Sequence, residues 1–353
     1  MSKPNILIRP ILESEFDAWR KVLALSEDGS PYQLPEYLQI LARATANDVS
    51  LIGIFEGEQP VLIGGIGLFR CQSTFTSHTS SRLMLYYNGP FIAKHAGMSA
   101  SREERRRLRL ISALAKYLMK QNYDFVGFKV RNAGADYRAL LDLGWTAKPV
   151  YSYLMRTDDL EEQWNAVDRN LKRLIRRGIS DGLRFNEHGS FDNFYAMHLE
   201  THTRKQSPIY MPKRIFKEFI TSLLESGIAR LFEVQTADGI TIASQLVLFS
   251  EHPCAHTLAA SSRAEFQRTG CNPFLRWKTC EWLNAKGYQQ LDLTDAHVLS
   301  VARFKSEMGA KLTLAMEYQS PIARVAKLRL AAQTGINRAQ ALASRLKHGA
   351  EPK

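Results

Sequence analysis

The sequence predicts an α/β (α+β) protein built from two tandem units, each a mixed central sheet flanked by helices. Three observations carry that reading. The same order of elements (hairpin, strand, loop, helix, strand) recurs in both halves. A helix followed by Gln121-Asn122-Tyr123 and a strand at 124–130 is answered by a helix followed by Lys286-Gly287-Tyr288 and a strand at 289–293. The chain of 353 residues is 45% hydrophobic and 23% charged, close to globular averages, so each of two units of roughly 150 residues can bury a core. The first unit is placed at 1–157, the second at 158–320 and a basic helical tail at 321–353.

In the first half, alternation predicts a strand at 6–9 and apolar periodicity a helix at 16–25. Ser30-Pro31 opens a turn before a short helix around Leu38 and Leu41. Segments 49–55 and 61–71 are rich in β-formers, with Glu56-Gly57-Glu58 as their turn. A further strand is expected at 83–87, ended by Asn88-Gly89-Pro90. Ser101 and Glu104 have capping-box spacing at the start of a long helix carrying Leu108, Ile111, Ala115 and Leu118. Strands at 123–130 and 151–155 flank a helix ending at 140–144.

In the second half, a basic helix is expected over 160–177, an extended segment at 184–187, and helices at 191–204 and 212–226. Asp238-Gly239 joins strands at 229–235 and 241–249. A strand at 256–260 precedes a helix at 273–286, for which Asn272 is the expected cap and Pro273 the first residue. Strands at 288–293 and 311–319 complete the unit.

Composition narrows the function. No apolar run reaches the roughly 18 residues of a membrane span, and the N-terminus lacks a signal peptide's basic start and apolar block, so a cytoplasmic protein is expected. Cys71, Cys254, Cys271 and Cys280 form no CxxC pair and read as buried free thiols. The net charge is +12, and six Lys and Arg fall between Ile322 and Ala350 without a single Asp or Glu. Further basic clusters are Arg102, Arg105, Arg106, Arg107 and Arg109, and then Lys172, Arg173, Arg176 and Arg177. They fit anionic partners (RNA, a nucleotide-linked donor, a phospholipid surface) or, equally, solvated helix faces. His198 and His202 are four apart on a helix, but Leu199 stands where a zinc protease needs glutamate, and no metal is expected. Neither a Gly-x-Ser-x-Gly elbow nor a Walker loop occurs.

Gln267-Arg268-Thr269-Gly270-Cys271-Asn272 lies between a strand and a helix start, where free amides and the helix dipole favour a phosphate. Its spacing resembles the acyl-CoA loop of the GNAT acyltransferases, with Asn272 in place of a small residue. Leu291-Asp292-Leu293, Asp295, and the run Val301-Ala302-Arg303-Phe304-Lys305-Ser306-Glu307-Met308-Gly309 resemble the FemAB-like branch of that superfamily, whose signature is an Asp-bearing strand, a loop and Phe-Lys-x-x-x-Gly. Asn170–Arg177, Phe194-Tyr195, Arg204, Ala259–Ser262, Pro31–Tyr37 and Asn88-Gly89-Pro90 extend the resemblance over nearly the whole chain.

The resemblance implies a tandem GNAT fold and transfer of an acyl or aminoacyl group to an amine of a cell-envelope precursor or polysaccharide. The donor it implies is an acyl-CoA, an acyl carrier or an aminoacyl-tRNA. The long coiled-coil insertion of the tRNA-dependent members is missing. By resemblance Lys305 sits beside the donor carbonyl, Phe304 packs beneath it, and Asp292 is a candidate base for the amine. From the residues alone, Lys305 reads as a surface lysine paired with Glu307, and Asp292 as a turn cap. His297 is a nearby titrating group. Gln267, Arg268, Gly270 and Asn272 are expected to hold the donor. Arg204 and Tyr210 match positions for a phosphate-bearing acceptor, and Gln33 and Tyr37 are expected to line its groove. The competing reading is a catalytically degenerate module that binds RNA or an anionic membrane through its basic helices.

Overall fold

The computed structural model describes residues 5–72, 77–79, 84–204 and 206–322. The first half runs β1 (Ile6–Pro10), α1 (Phe16–Ala24), α2 (Pro35–Thr45), β2 (Asp48–Glu56), β3 (Val61–Gln72), β4 (Ser77–Thr79), β5 (Phe91–Ile92), α3 (Ala100–Met119), β6 (Phe125–Val130), α4 (Arg138–Asp142) and β7 (Thr146–Arg156). The second runs α5 (Leu160–Ala166), α6 (Arg169–Ser180), β8 (Arg184–Asn186), α7 (Phe191–Arg204), α8 (Lys213–Glu225), β9 (Ala229–Gln235) and β10 (Thr241–Leu248). It closes with β11 (Cys254–Ser262), α9 (Cys271–Ala285), β12 (Gln290–Asp292), α10 (Leu299–Glu307) and β13 (Lys311–Gln319). Among the described residues no helix is long and apolar enough to cross a membrane.

The two expected sheets are joined into one. Its strand order is β1-β2-β3-β4-β6-β13-β7-β12-β11-β10-β9-β8, with β5 pairing β3. At the seam the halves exchange strands. β13, from the end of the second half, lies antiparallel between β6 and β7. β7, from the end of the first, pairs with both β13 and β12.

Alternation along the strands sorts the core into layers. Leu51 and Phe55 on β2, with Leu231 on β9 and Leu246 and Leu248 on β10, face one apolar layer that spans both halves and contains Trp19, Tyr37, Phe216 and Phe219. Their neighbours Ile52 and Ile54 face the opposite side, against Leu110 and Leu114 of α3. Phe232, Val234 and Val247 likewise face away, against Ile175 of α6 and Phe274 of α9. One face of the sheet is therefore a core shared by the two halves, and the other carries a separate core for each.

Several local expectations are corrected. Of the strand expected at 83–87, the described residues 84–87 form a turn and a single bridge residue, Leu85, with Met84 at a positive φ of 63° and its carbonyl held by the Tyr37 hydroxyl. Ser99, not Ser101, stands at the N-cap position of α3, and its side chain makes no capping bond. The single basic helix at 160–177 breaks at Val167–Asp168, where the Asp168 side chain caps α6 through the Asn170 amide at 2.7 Å. Gly270 at φ 86°, not Asn272, precedes α9, and Asn272 lies inside the helix. Helix α10, which carries the Phe-Lys run, has no counterpart among the expected elements. The basic tail from 323 onward lies outside the described residues.

The basic cluster on α3 is largely neutralised within the fold. Arg106 is 3% exposed and pairs with Glu56 and Glu103, and Arg107 pairs with the buried Asp28. The α6 cluster stays on the surface, with Lys172 and Arg176 over the Trp164 ring.

The strand exchange gives a direct expectation. Fragments 1–157 and 158–322, expressed separately, should each lack a cooperative unfolding transition, and co-expression should restore one that is detectable by circular dichroism on the co-purified pair. Independent cooperative folding of either fragment would show the exchanged strands to be dispensable.

Candidate active site

Strands β11 and β12 run parallel but pair only over Cys254–His256 and Gln290–Asp292. Two local features drive them apart. On β11, Leu246 faces Ala259 whereas Val247 faces Thr257, so Leu258 is an extra residue. Such a bulge bends a strand and re-aims its side chains. After β12 the chain turns through Thr294 and Asp295, at φ 48° and 43°. Non-glycine residues adopt this region at a cost of about 1 kcal/mol or more each. Between the diverging strands opens a cleft of about 480 Å³, reached by Tyr86, Lys129, Tyr210, Arg276, His297 and Lys305.

Lys305 enters the cleft from α10 and is 6% exposed. Its Nζ donates to the carbonyls of Thr294 and Asp295, so one cation satisfies two acceptors that the strained turn brings together. An ammonium has three donors, which leaves one for the cleft. Burial first, then the nearby Arg276, pull the pKa of Lys305 down to about 8, against the opposing pull of Asp295 and Asp292.

The placement of α10 is set at its C-terminal end. The Asp168 amide donates to the Glu307 carbonyl at 2.7 Å, and Gln163 Nε2 to that of Met308 at 2.9 Å. Gly309 has φ 75°, and a Cβ there would stand 2.8 Å from the carbonyl carbon of Ala166. The glycine of Phe-Lys-x-x-x-Gly thus lets α10 press against the end of α5. Phe304 is half-buried against the core around α9. The surface-lysine alternative is excluded, because Glu307 is bound by Arg303 at 2.7 Å and Lys305 points inward.

Asp292 lies beneath the site, 1% exposed. Its carboxylate accepts from the Tyr87 hydroxyl at 3.0 Å, the Thr294 amide at 2.7 Å and the Ser152 hydroxyl. Arg131 Nε stands 3.9 Å away. With three donors in place, the carboxylate ties β12 to β7, to the strained turn and to Tyr87. It lines an adjoining cleft of about 470 Å³ with Tyr87, Arg131 and Ser152, rather than that of Lys305. Beside it on β11, His256 is fully buried and stacks edge-on with Tyr32 and Tyr87 at 5.4 and 5.7 Å. Burial and Arg131 hold His256 neutral.

The expected donor loop precedes α9. Gln267 and Arg268 are exposed on a 3-10 turn, and Asn272 Nδ2 donates to the Ser262 hydroxyl at 3.0 Å. A Cβ at Gly270 would stand 2.9 Å from the Leu174 side chain and 3.0 Å from its carbonyl oxygen, so packing on α6 already accounts for this glycine.

Of the residues expected at the acceptor, Tyr210 reaches the cleft. Arg204 does not; it is 39% exposed at the end of α7, 3.7 Å from Glu200. Gln33 is buried, its amide bonded to the Gly89 carbonyl at 2.7 Å and to Ser30 at 3.0 Å. Tyr37 is fully buried and acts on the cleft through Met84, whose carbonyl it holds. His297 lies at the mouth, its amide 2.8 Å from Asp295. His198 and His202 stack with Tyr210 behind that wall, and burial lowers the pKa of His198 to about 4. Sequence reasoning missed Lys129, Arg276, Tyr86 and Ser152. None lies in a recognisable motif: Lys129 on β6 and Arg276 on α9 join Tyr86 at the Lys305 cleft, and Ser152 on β7 holds Asp292.

Residues 165–306 match the family model described as an acetyltransferase (GNAT) domain. The chain carries a GNAT domain. The matched segment contains the bulged β11, α9, the diverging β12 and Lys305. The similarity of fold extends beyond it. FemX is 13% identical with a TM-score of 0.68, over 88% of this chain and 96% of that one. The C-terminal domain of a putative lysylphosphatidylglycerol synthetase from Agrobacterium fabrum is 14% identical with a TM-score of 0.57, over 91% and 96%. A tandem GNAT protein from the clavulanic acid biosynthesis pathway is 10% identical with a TM-score of 0.52, over 90% and 99%. At these identities the likeness is one of fold. No curated protein matches the sequence.

The Asp292 network makes a measurable contribution to stability. Asp292→Asn keeps the shape but removes the charge facing Arg131 and turns one acceptor into a donor. Urea unfolding should show a loss of about 2 kcal/mol. A loss below about 0.5 kcal/mol, the range of ordinary surface substitutions, would show that the network does not hold the turn.

Proposed function

We propose that the chain is an N-acyltransferase that moves an acyl or aminoacyl group from an activated donor to an amine of a cell-envelope precursor or polysaccharide. The donor is an acyl-CoA, an acyl carrier or an aminoacyl-tRNA. The observation that carries this reading is Lys305, a buried cation fixed by two carbonyls where the strands of a GNAT domain diverge. The names of two similar structures, FemX and the lysylphosphatidylglycerol synthetase domain, support the envelope substrate and the aminoacyl alternative.

The chemistry needs no covalent enzyme intermediate. The amine nitrogen forms a bond to the donor carbonyl carbon while the C–S or C–O bond to the carrier breaks. The proton released by the amine passes to the departing thiolate or alkoxide. Negative charge grows on the carbonyl oxygen between these events. Lys305, held in place before the reaction, stabilises it without reorganisation, the arrangement that makes fixed cations effective. The cleft supplies orientation, with Tyr86 and Tyr210 as walls. Asp292 positions the Thr294 turn, and through it the ammonium.

Transfer should be measured with a panel of acyl-CoAs and aminoacyl-tRNAs against amine acceptors. Lys305→Ala is expected to lower kcat about 100-fold or more. If no donor stabilises the protein and none is turned over, the proposal fails.

The pH profile is a second test. The active form of Lys305 is protonated, and its pKa is near 8, so the rate should fall as pH rises through that value. Lys305→Arg stays charged across the range, and its profile, at whatever residual rate, should remain flat above pH 8. A wild-type rate unchanged to pH 10 would exclude a charged Lys305 as the working group.

A further inference from the structure

The cleft holds more positive charge than its own residues neutralise. Lys129, Arg276 and Lys305 all reach it, while Asp295 is the one carboxylate on its wall. Among the described residues none of the three cations is in an ion pair. Arg276 donates one bond to the Thr257 hydroxyl at 3.1 Å. Lys129 Nζ lies 4.0 Å from the centroid of the Tyr86 ring, and Lys305 gives two of its three donors to neutral carbonyls. Glu317 opposes Lys129 in register on β13 without pairing with it, and Asp292 is occupied by its own donors.

The fold treats two other arginines withdrawn from solvent differently. Arg106 is matched by Glu56 and Glu103, and Arg107 by Asp28. A buried cation without a carboxylate partner is costly, and the cost shows here as a common trend. Burial lowers the pKa of Arg276 to about 10 and also lowers that of Lys129. Such a group is retained where a ligand brings the missing charge.

We propose that Arg276, Lys129 and Lys305 form a receptor for a phosphoryl dianion carried by one of the two substrates. Three cations against one carboxylate leave a surplus of two positive charges, which a dianion cancels and a lone carboxylate does not. Arg276 offers the planar fork that grips two phosphate oxygens at once, and the lysines add point charges at its sides. The inference rests on the acyl-transfer reading only in calling the ligand a substrate; the binding itself is independent of turnover. The dianion arrives either on the donor or on the acceptor, and the recognition chemistry is the same.

The test is titration of the full-length protein with inorganic pyrophosphate at constant ionic strength, followed by calorimetry and thermal shift. Saturable binding is expected, with sodium acetate at matched ionic strength giving none. Arg276→Gln and Lys129→Gln should each weaken it about tenfold. Arg276→Lys, which keeps the charge and loses the fork, should weaken it by a smaller factor, and it stands in if the glutamine variant fails to fold. Absence of saturable binding to the wild type, or affinity within about twofold of wild type in both Arg276 variants, overturns the receptor. Competition between pyrophosphate and coenzyme A would assign the dianion to the donor; simultaneous binding would assign it to the acceptor. A protein that binds pyrophosphate through Arg276 but transfers no acyl group would sink the enzymatic reading alone. An active transferase indifferent to both Arg276 changes would sink the receptor alone.

Discussion

Everything in this protein hangs on the exchange of two strands across the middle of the sheet. β13 lies between β6 and β7, and β7 lies between β13 and β12, so each half lends a strand to the other. Backbone hydrogen bonds along a strand are obligatory, and leaving them unpaired in a core is costly. The exchange therefore locks the halves in one register. It also explains why one face of the sheet carries a single core to which Tyr37 and Phe219, from opposite halves, both contribute, with ring centroids 6.2 Å apart.

The site grows out of that seam. Asp292 ends β12, the strand next to the exchanged β7, and its carboxylate takes the hydroxyl of Ser152 on β7 and that of Tyr87 from the first half. These bonds support the turn through Thr294 and Asp295, whose backbone is strained and whose carbonyls converge on Lys305. Strain of this kind persists only where surrounding contacts over-determine it. The bulge at Leu258 on one side and the turn on the other hold β11 and β12 apart and so open the cleft.

Electrostatics separates this cleft from the rest of the molecule. On α3 positive charge is cancelled inside the fold by Glu56, Glu103 and Asp28, and on α6 it is solvated. In the cleft it is neither. Arg276 illustrates how such a group escapes notice in a sequence: it stands in mid-helix among Leu275 and Trp277, with the spacing of an ordinary amphipathic segment.

Much of the architecture was legible in local pattern, because alternation, apolar periodicity and turn residues act over a few positions. The hairpin of β2 and β3, helices α7 and α8, and β13 from Lys311 to Gln319 follow from such signals. The Phe-Lys-x-x-x-Gly run was readable as a motif, and its glycine proves to serve contact with Ala166. Patterns of this range do not reveal which strands neighbour one another. Only the tertiary structure decided that β7 and β13 change places, that Gln33 and Tyr37 belong to the core, and that Arg204 stays at the surface. The same holds for Lys129 and Arg276, which join Lys305 from elements far apart in the chain. The physical reason is common to all of these. A site is a sum of charges and distances across elements, and those are set by packing and sheet order, which no local stretch of sequence encodes.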